Sequence, residues 1–415
     1  MRRTGSCLLI LACLFGGCSS DVETGPRPTE AQPAPRIRVS AWYWLNSAPK
    51  DEWARDFAKM RELGFTHVVV GWGLNSSAGV LRVADTRDAM QWAHDAGLGA
   101  YIIVWHPTHN HLERRPDHQQ VSVTGKHLFT FDPFNAEWRA TQWKEYLQTL
   151  ARTYKDEPAM AGYLFDDSFM TGPMETVSGE GLGPDEDIVS YNTWEKKAFG
   201  EPLPTSSKDP RWKEWVEARA QWWEDWAADT VEFIRAIDPD QEHEIYLEDL
   251  DYILDPVHRE TKGLDFARVA KHFDAVGAYT MAEYDDTPGA TERAIERTRR
   301  AIVKLREIVG AEKKIIYTFW IANPKEEFQD GPAKYPTVPQ IRQIAEAALA
   351  EGITHLDMYG YRIGDFRVTD ENWVEKRPNA GPTYPITGQF PQKFLWDRPQ
   401  LHEEFGRYFR GLNES

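Results

Sequence analysis

From Ile37 onward the chain alternates between two kinds of hydrophobic pattern. Short runs rich in β-branched and aromatic residues are each followed by a longer stretch whose apolar positions recur at helical spacing, as expected of repeated βα units around a parallel sheet. The runs are Val39–Trp44, His67–Trp72, Ala100–Trp105, Ala161–Phe165, Glu244–Glu248, Ala275–Tyr279, Lys314–Trp320 and His355–Tyr359. Between them, "DEWARDFAKMRELGF" sets Trp53, Phe57, Met60 and Leu63 on one helical face, and "ATERAIERTRRAIVKLREIVG" carries a face of alternating charge. Gly64, Gly97 and Gly352 each close a helical run, where a C-cap glycine is expected.

Eight such units between residues 37 and 415 predict an α/β fold, a single (β/α)8 TIM barrel with long βα loops. A doubly wound open sheet is the competing architecture. It is disfavoured because "AWYWLNSAPKDEW", after the first strand, has no glycine-rich turn to cradle a phosphate.

The chain ahead of the barrel reads differently. "MRRTGSCLLILACLFGGCSS" has two arginines, an apolar stretch and then Cys18, the layout of a secretion signal too short to span a membrane. Gly16-Gly17-Cys18 resembles the lipobox of bacterial lipoproteins, with Phe15 where leucine is usual. The resemblance implies cleavage before Cys18 and lipidation of that residue, whereas an ordinary secretory signal would be cut near Ser19 or Ser20. Residues 1–18 are thus read as a lipoprotein signal peptide with its lipidation cysteine, 19–36 as a disordered Pro-rich tether, and 37–415 as the barrel. Ser19 after the cysteine fits sorting to the outer membrane of a Gram-negative bacterium, so the expected location is the cell envelope, with the membrane reached through an N-terminal lipid anchor. The three cysteines, Cys7, Cys13 and Cys18, all fall in the signal, which excludes disulfides and Cys-metal sites from the barrel. A net charge of −17 with no basic block excludes nucleic acid as a partner.

In a barrel, chemistry belongs at the carboxyl ends of the strands. Those ends carry Trp44, Trp72, Trp105 with His106 and His109, the acids Asp166 and Asp167, then Glu248 and Asp249. Tyr279 with Glu283, Trp320 with Asn323, and Asp357 with Tyr359, Tyr361 and Arg362 complete the rim. Indole and phenol rings pack on the apolar faces of pyranoses, and carboxylates, amides and imidazoles pair with sugar hydroxyls, so the rim suits a carbohydrate. The same rings singly would serve as well to plug the barrel mouth.

The acids are the candidate catalysts. "YLFDDS" ends the fourth strand, and a period of two sends Asp166 and Asp167 to opposite sides, one toward the axis. "YLEDLDY" ends the fifth strand with Glu248. Neighbouring strands run ~4.8 Å apart, so acids on both tips can face a gap of roughly 5 to 9 Å, the range glycosidic cleavage uses. One ionised aspartate would attack or activate water, and Glu248, its pKa raised, would protonate the leaving oxygen. The plainer roles for these acids are helix capping and rim ion pairs. "WHPTHNH" brings His106, His109 and His111 together, but no H-E-x-x-H helix accompanies them, so they are read as sugar contacts with no metal and no cofactor. No G-x-S-x-G elbow is present for a serine nucleophile.

The segment from Asp156 to Asp240 resembles the (β/α)8 glycoside hydrolases of clan A, most of all the family 42 β-galactosidases. Their fourth strand has the form G-W-x-x-D-N-E, with which "GYLFDDS" aligns without a gap. The resemblance implies a barrel that cleaves glycosidic bonds. It departs from the pattern at both catalytic glutamates: Ser168 stands where the acid/base glutamate falls, and "IIYTFWIAN" offers Trp320 and Asn323 in place of the nucleophile. By fold analogy with other barrel glycosidases, Asp166 or Asp167 would take over that work with Glu248 on the fifth strand, or with Glu283 after the sixth, as donor. Two functions follow: a cell-surface glycoside hydrolase, or a non-catalytic glycan-binding lipoprotein on a degenerate glycosidase barrel.

Overall fold

The computed structural model describes residues 37–45, 48–72, 82–104, 115–166, 191–249, 254, 260, 263–279, 288–320, 337–362, 395 and 399–414, with main chain alone at 128–130, 248–249, 278–279, 320, 400 and 414. In chain order the strands are β1 (Arg38–Trp44), β2 (His67–Gly71), β3 (Gly99–Val104), β4 (Gln119–Val121), β5 (His127–Phe131), β6 (Met160–Phe165), β7 (Glu242–Asp249), β8 (Ala275–Tyr279), β9 (Lys314–Trp320) and β10 (His355–Arg362). β4 and β5 form an antiparallel hairpin that the hydrophobic pattern did not reveal. The other eight are the eight expected runs, and they close a parallel barrel in sequence order, β1 pairing with both β2 and β10. The (β/α)8 expectation holds.

The helices that clothe this barrel are α1 (Lys50–Glu62), α2 (Val83–Asp95), α3 (Lys144–Tyr154), α4 (Thr193–Phe199), α5 (Trp212–Arg235), α6 (Phe266–Ala270), α7 (Ala290–Val309), α8 (Val338–Ala350) and α9 (His402–Glu414). In α1, Trp53, Phe57 and Met60 are buried, as the spacing predicts, and Asp56 with them, while acids in the first turn and bases in the last suit the helix dipole. Gly64 follows with φ +90°, and a Cβ there would lie 2.7 Å from the Arg410 backbone nitrogen, so this glycine both ends α1 and admits α9. Asn413 of α9 accepts from the Ile37 N–H and donates to the Ile37 carbonyl, both at 3.0 Å, which ties the last helix to the first strand.

Alternation along each strand divides the core in two. One set of side chains, including Val39, Ala41, Tyr43, Val68, Val70, Ile102, Phe165, Ile245 and Leu356, packs outward against the helices. The other fills the barrel itself with Trp42, Trp44, Val69, Tyr101, Ile103, Leu164, Tyr246 and Ile316. Close approach makes room for the rings: a Cβ on Gly162 would meet the Tyr101 ring at 2.7 Å, and one on Gly277 the Tyr246 ring at 2.4 Å.

The connections after β3 and β6 carry the added structure. β4, β5 and α4 pack with the start of α5 around Val121, Tyr191, Leu203 and Trp215. A π-helical stretch, Arg139–Trp143, leads into α3, and Phe131, Trp138, Trp143 and Tyr146 stack along it with successive centroids 3.9, 5.3 and 5.5 Å apart. Trp42, Trp138, Trp143, Trp215, Trp223 and Trp226 are wholly buried. Much of the indole that composition offers to a sugar is therefore core.

Candidate active site at the carboxyl ends of the strands

The barrel interior is polar at its amino end and in its middle. At the amino end, Arg38 donates to both carboxylate oxygens of Glu244, and its guanidinium lies 4.5 Å from the Tyr101 ring centroid. Glu242 accepts from the Tyr101 hydroxyl at 2.7 Å and from Lys314 at 2.6 Å. Burial pushes the Glu244 carboxyl up to about 7, against the pull of Arg38. Burial, with Arg38 adding to it, holds the imidazoles of His67 and His355 down to about 3 and about 2. Ligand atoms of Glu242, Glu244 and His355 lie within 4.8 Å of one another, the one such grouping among the described residues. Arg38 and Lys314 already occupy its carboxylates, so a divalent cation would have to displace two resident charges.

The middle layer centres on Asp357. Its carboxylate accepts from Ser40 Oγ at 2.6 Å, from Trp42 Nε1 at 2.5 Å and from the Tyr246 hydroxyl, which in turn accepts from Thr318 Oγ1 at 2.7 Å. Burial and the adjacent Asp357 charge push the Tyr246 phenol far above its ordinary range, so it stays a donor. Asp357, which the strand-end count puts at the rim, belongs instead to this layer, and its partners Ser40, Trp42, Tyr246 and Thr318 were not among the sequence-derived site residues. The signal for it is parity: Asp357 is two residues before Tyr359, and Trp42 two before Trp44.

Above it, at the carboxyl end, lie sequence-predicted residues. Trp44 faces into the barrel, and the half-buried Tyr359 packs edge-on against Trp44 at 6.4 Å and against Trp42 at 5.1 Å. Asp166 directly follows β6, two residues beyond the inward Leu164, and is 4 % exposed. β6 pairs with β7, whose last two residues are Glu248 and Asp249; their main chain lies opposite Ala278 and Tyr279 of β8 after a bulge between Tyr246 and Glu248. Trp320 ends β9 opposite Tyr359. The side chains of Glu248, Asp249, Tyr279 and Trp320 lie outside the described set, as do residues Cys18, Trp105, His106, His109, Asp167, Glu283 and Asn323.

Two expected sugar contacts sit elsewhere. Trp72 shares the outward parity of Val68 and Val70, packs edge-on to Trp53 at 5.9 Å, and donates from Nε1 to Thr86 Oγ1 at 2.9 Å. Arg362 points at α1, donating to Glu52 at 2.6 Å and to Asp56 at 2.7 Å, where the Tyr43 hydroxyl also arrives at 2.7 Å. Both residues hold helices to the barrel wall instead of lining its mouth.

In sequence the chain matches no protein-family model and no curated protein. In structure it is similar to a polyextremophilic β-galactosidase from the Antarctic haloarchaeon Halorubrum lacusprofundi, at 17 % identity over 89 % of this chain and 58 % of that one, with a TM-score of 0.62. A family 42 β-galactosidase from G. stearothermophilus matches at 11 % identity over 91 % of this chain and 56 % of that one, TM-score 0.62. The catalytic domain of a β-amylase from Paenibacillus polymyxa matches at 10 % identity over 92 % of this chain and all of that one, TM-score 0.54. At such identities the likeness is one of fold, and the chain spans rather over half the length of the galactosidases. The family 42 resemblance of the sequence thus extends to the architecture.

Proposed function

We propose that the chain is a glycoside hydrolase acting on a poly- or oligosaccharide at the cell surface, held to the envelope by lipid on Cys18. Asp166 or Asp167 serves as nucleophile or base, and Glu248 as the acid. The observation that carries this reading is the position of Asp166: it continues the inward series Gly162, Leu164 at the tip of β6, nearly enclosed, beside the strand that ends in Glu248 and Asp249. A carboxyl at the carboxyl end of a barrel strand stands where this fold carries its chemistry. The barrel is of the kind found in proteins named as β-galactosidases and as a β-amylase, which agrees with glycosidic chemistry without selecting a sugar.

Incubation of the purified protein with a panel of glycans should release new reducing ends. Asp166→Asn and Glu248→Gln should each lower that rate at least ~100-fold, the scale of a lost acid/base group, with the far-UV spectrum unchanged. Turnover indifferent to both substitutions ends the assignment. The inward edge-on pair Trp44 and Tyr359 favours a second reading, glycan binding without cleavage. Affinity without turnover, retained in both acid variants and lost in Tyr359→Ala, would select it.

A further inference from the structure

The connections after β3 and β6 meet over a pair of acids. Asp132 lies in the turn that follows β5, and Glu195 in the first turn of α4; neither has any exposed surface. Asp132 is well served by donors, accepting from Asn192 Nδ2 at 2.7 Å and from the Phe134 N–H at 3.0 Å. The Glu195 carboxyl is within hydrogen-bonding reach of Asp132, while the backbone N–H groups of Asn192 and of Glu195 itself approach it without completing a regular hydrogen bond. Two carboxylates offer acceptors only, so a bond between them requires that one carry a proton.

The surrounding charges do not supply a substitute. Arg139, from the π-helical stretch, directs Nε to Asp229 at 2.8 Å and Nη1 to the carbonyls of Pro133 and Phe134. Arg219 of α5 donates to the Glu260 carbonyl and lies against the rings of Trp212 and Trp215. Arg115 pairs with Asp117 and reaches His118 Nε2, and the Asp132 N–H donates to the His118 carbonyl at 2.6 Å. A metal ion would fit poorly. Asn192 Oδ1 caps α4 by accepting from the Trp194 and Glu195 N–H groups, at 2.8 and 3.4 Å, which turns Nδ2 toward Asp132 and the Gln119 carbonyl. A donor stands where a cation would want an acceptor.

We propose that Asp132 and Glu195 share one proton and thereby form a pH-sensitive clasp between the two connections, closed while the proton is held and released as it is lost. This goes beyond the hydrolase reading and does not depend on it. Burial pushes both carboxyls up, and the charge of Asp132 pushes Glu195 further; the bond from Glu195, the Asn192 amide, the Phe134 N–H and Arg139 oppose the shift at Asp132, and the backbone N–H groups of Glu195 and Asn192 oppose it at Glu195. In the unfolded chain both acids ionise near their ordinary values, about 4. The folded chain therefore holds more protons above that pH, and stability is full below it and lost as pH rises through the folded titration.

The test is thermal unfolding of the full chain between pH 5 and pH 9, wild type against Glu195→Gln, which donates to Asp132 without needing a proton. The variant should gain on the wild type as pH rises, by several degrees across the range. Parallel curves overturn the proposal. So does a midpoint that rises with added Ca²⁺ and falls with a chelator, since a cation would then fill the proton's role. Should Glu195→Gln fail to fold, the wild type still decides: a protonated-carboxyl infrared band should vanish with rising pH in step with loss of hydrogen-exchange protection across 119–134 and 192–199. No such band, or protection unchanged through its loss, refutes the clasp.

Discussion

The hydroxyl of Tyr246 donates to Asp357 across the inside of the barrel, joining β7 to β10 through a carboxylate that also accepts from Ser40 and Trp42 of β1. Three strands distant in sequence are thus held by one buried acceptor directly beneath the candidate mouth. An unsatisfied buried donor costs about 1–3 kcal/mol. Asp357→Ala removes the shared acceptor of three, and should lower unfolding free energy by roughly 3–5 kcal/mol, with Asp357→Asn costing about half as much because its carbonyl still accepts. Urea unfolding measures both; a loss below about 1 kcal/mol for the alanine variant would mean the three donors find other partners.

The pair Arg38 and Glu244 calls for a double-mutant cycle. Both side chains are almost fully buried and the contact is bidentate. Removing only one member leaves an uncompensated interior charge, so Arg38→Met should cost about 3–5 kcal/mol, while Arg38→Met with Glu244→Leu should recover most of that loss. If the double variant is as unstable as the single one, packing at this end of the barrel matters more than charge.

The amino end of the barrel also sets an acid limit, with two opposing contributions. His67 and His355, held to about 3 and about 2 by burial and by Arg38, bind fewer protons folded than unfolded. Their contribution is complete above about 6.5 and is lost as pH falls toward the folded values, on the order of a few kcal/mol at most for each. Glu244, raised to about 7 chiefly by burial, contributes stability that is full below its ordinary value and gone above neutrality. His67→Gln and His355→Gln should therefore flatten the fall in stability between pH 6.5 and 4, and Glu244→Gln should steepen it. Equilibrium unfolding at several pH values checks the signs, and an unchanged slope in the histidine variants contradicts them.

Sequence periodicity conveyed the barrel because each of its strands is buried on both faces and so reads as a dense apolar run. β4 and β5 escaped for the opposite reason: Gln119 and Gln120 interrupt the apolar pattern, and only the Val123-Thr124-Gly125 turn between short strands betrays the hairpin. The rim was readable as position where strict alternation holds, as at Trp44, which faces into the barrel, and at Leu164, two residues before Asp166. It misled at Trp72, whose parity with Val70 already assigns it outward. At Arg362 no count of residues would serve: the register of β10 on β1 jumps from Ala41 opposite Met358 to Tyr43 opposite Arg362. Asp357 was readable as a strand-end acid, but its partner Tyr246 was not, because their pairing spans 111 residues and is fixed only when the barrel closes.

Gly277 is a place where that closure is sensitive to a single methyl group. A Cβ at this position would lie 2.4 and 2.5 Å from the Tyr246 ring carbons, far inside van der Waals contact, so the ring would have to move. The ring is also the piece that reaches Asp357 and Thr318, and displacing it weakens two buried hydrogen bonds along with the packing. Gly277→Ala should therefore cost about 1–3 kcal/mol from overpacking. In a Tyr246→Leu background the obstructing ring is gone, and the same glycine substitution should cost less than about 1 kcal/mol, the difference being the coupling between the two sites. Equal costs in the two backgrounds, by denaturant titration, would show that strand β8 resists a side chain at Gly277 for a reason unrelated to Tyr246.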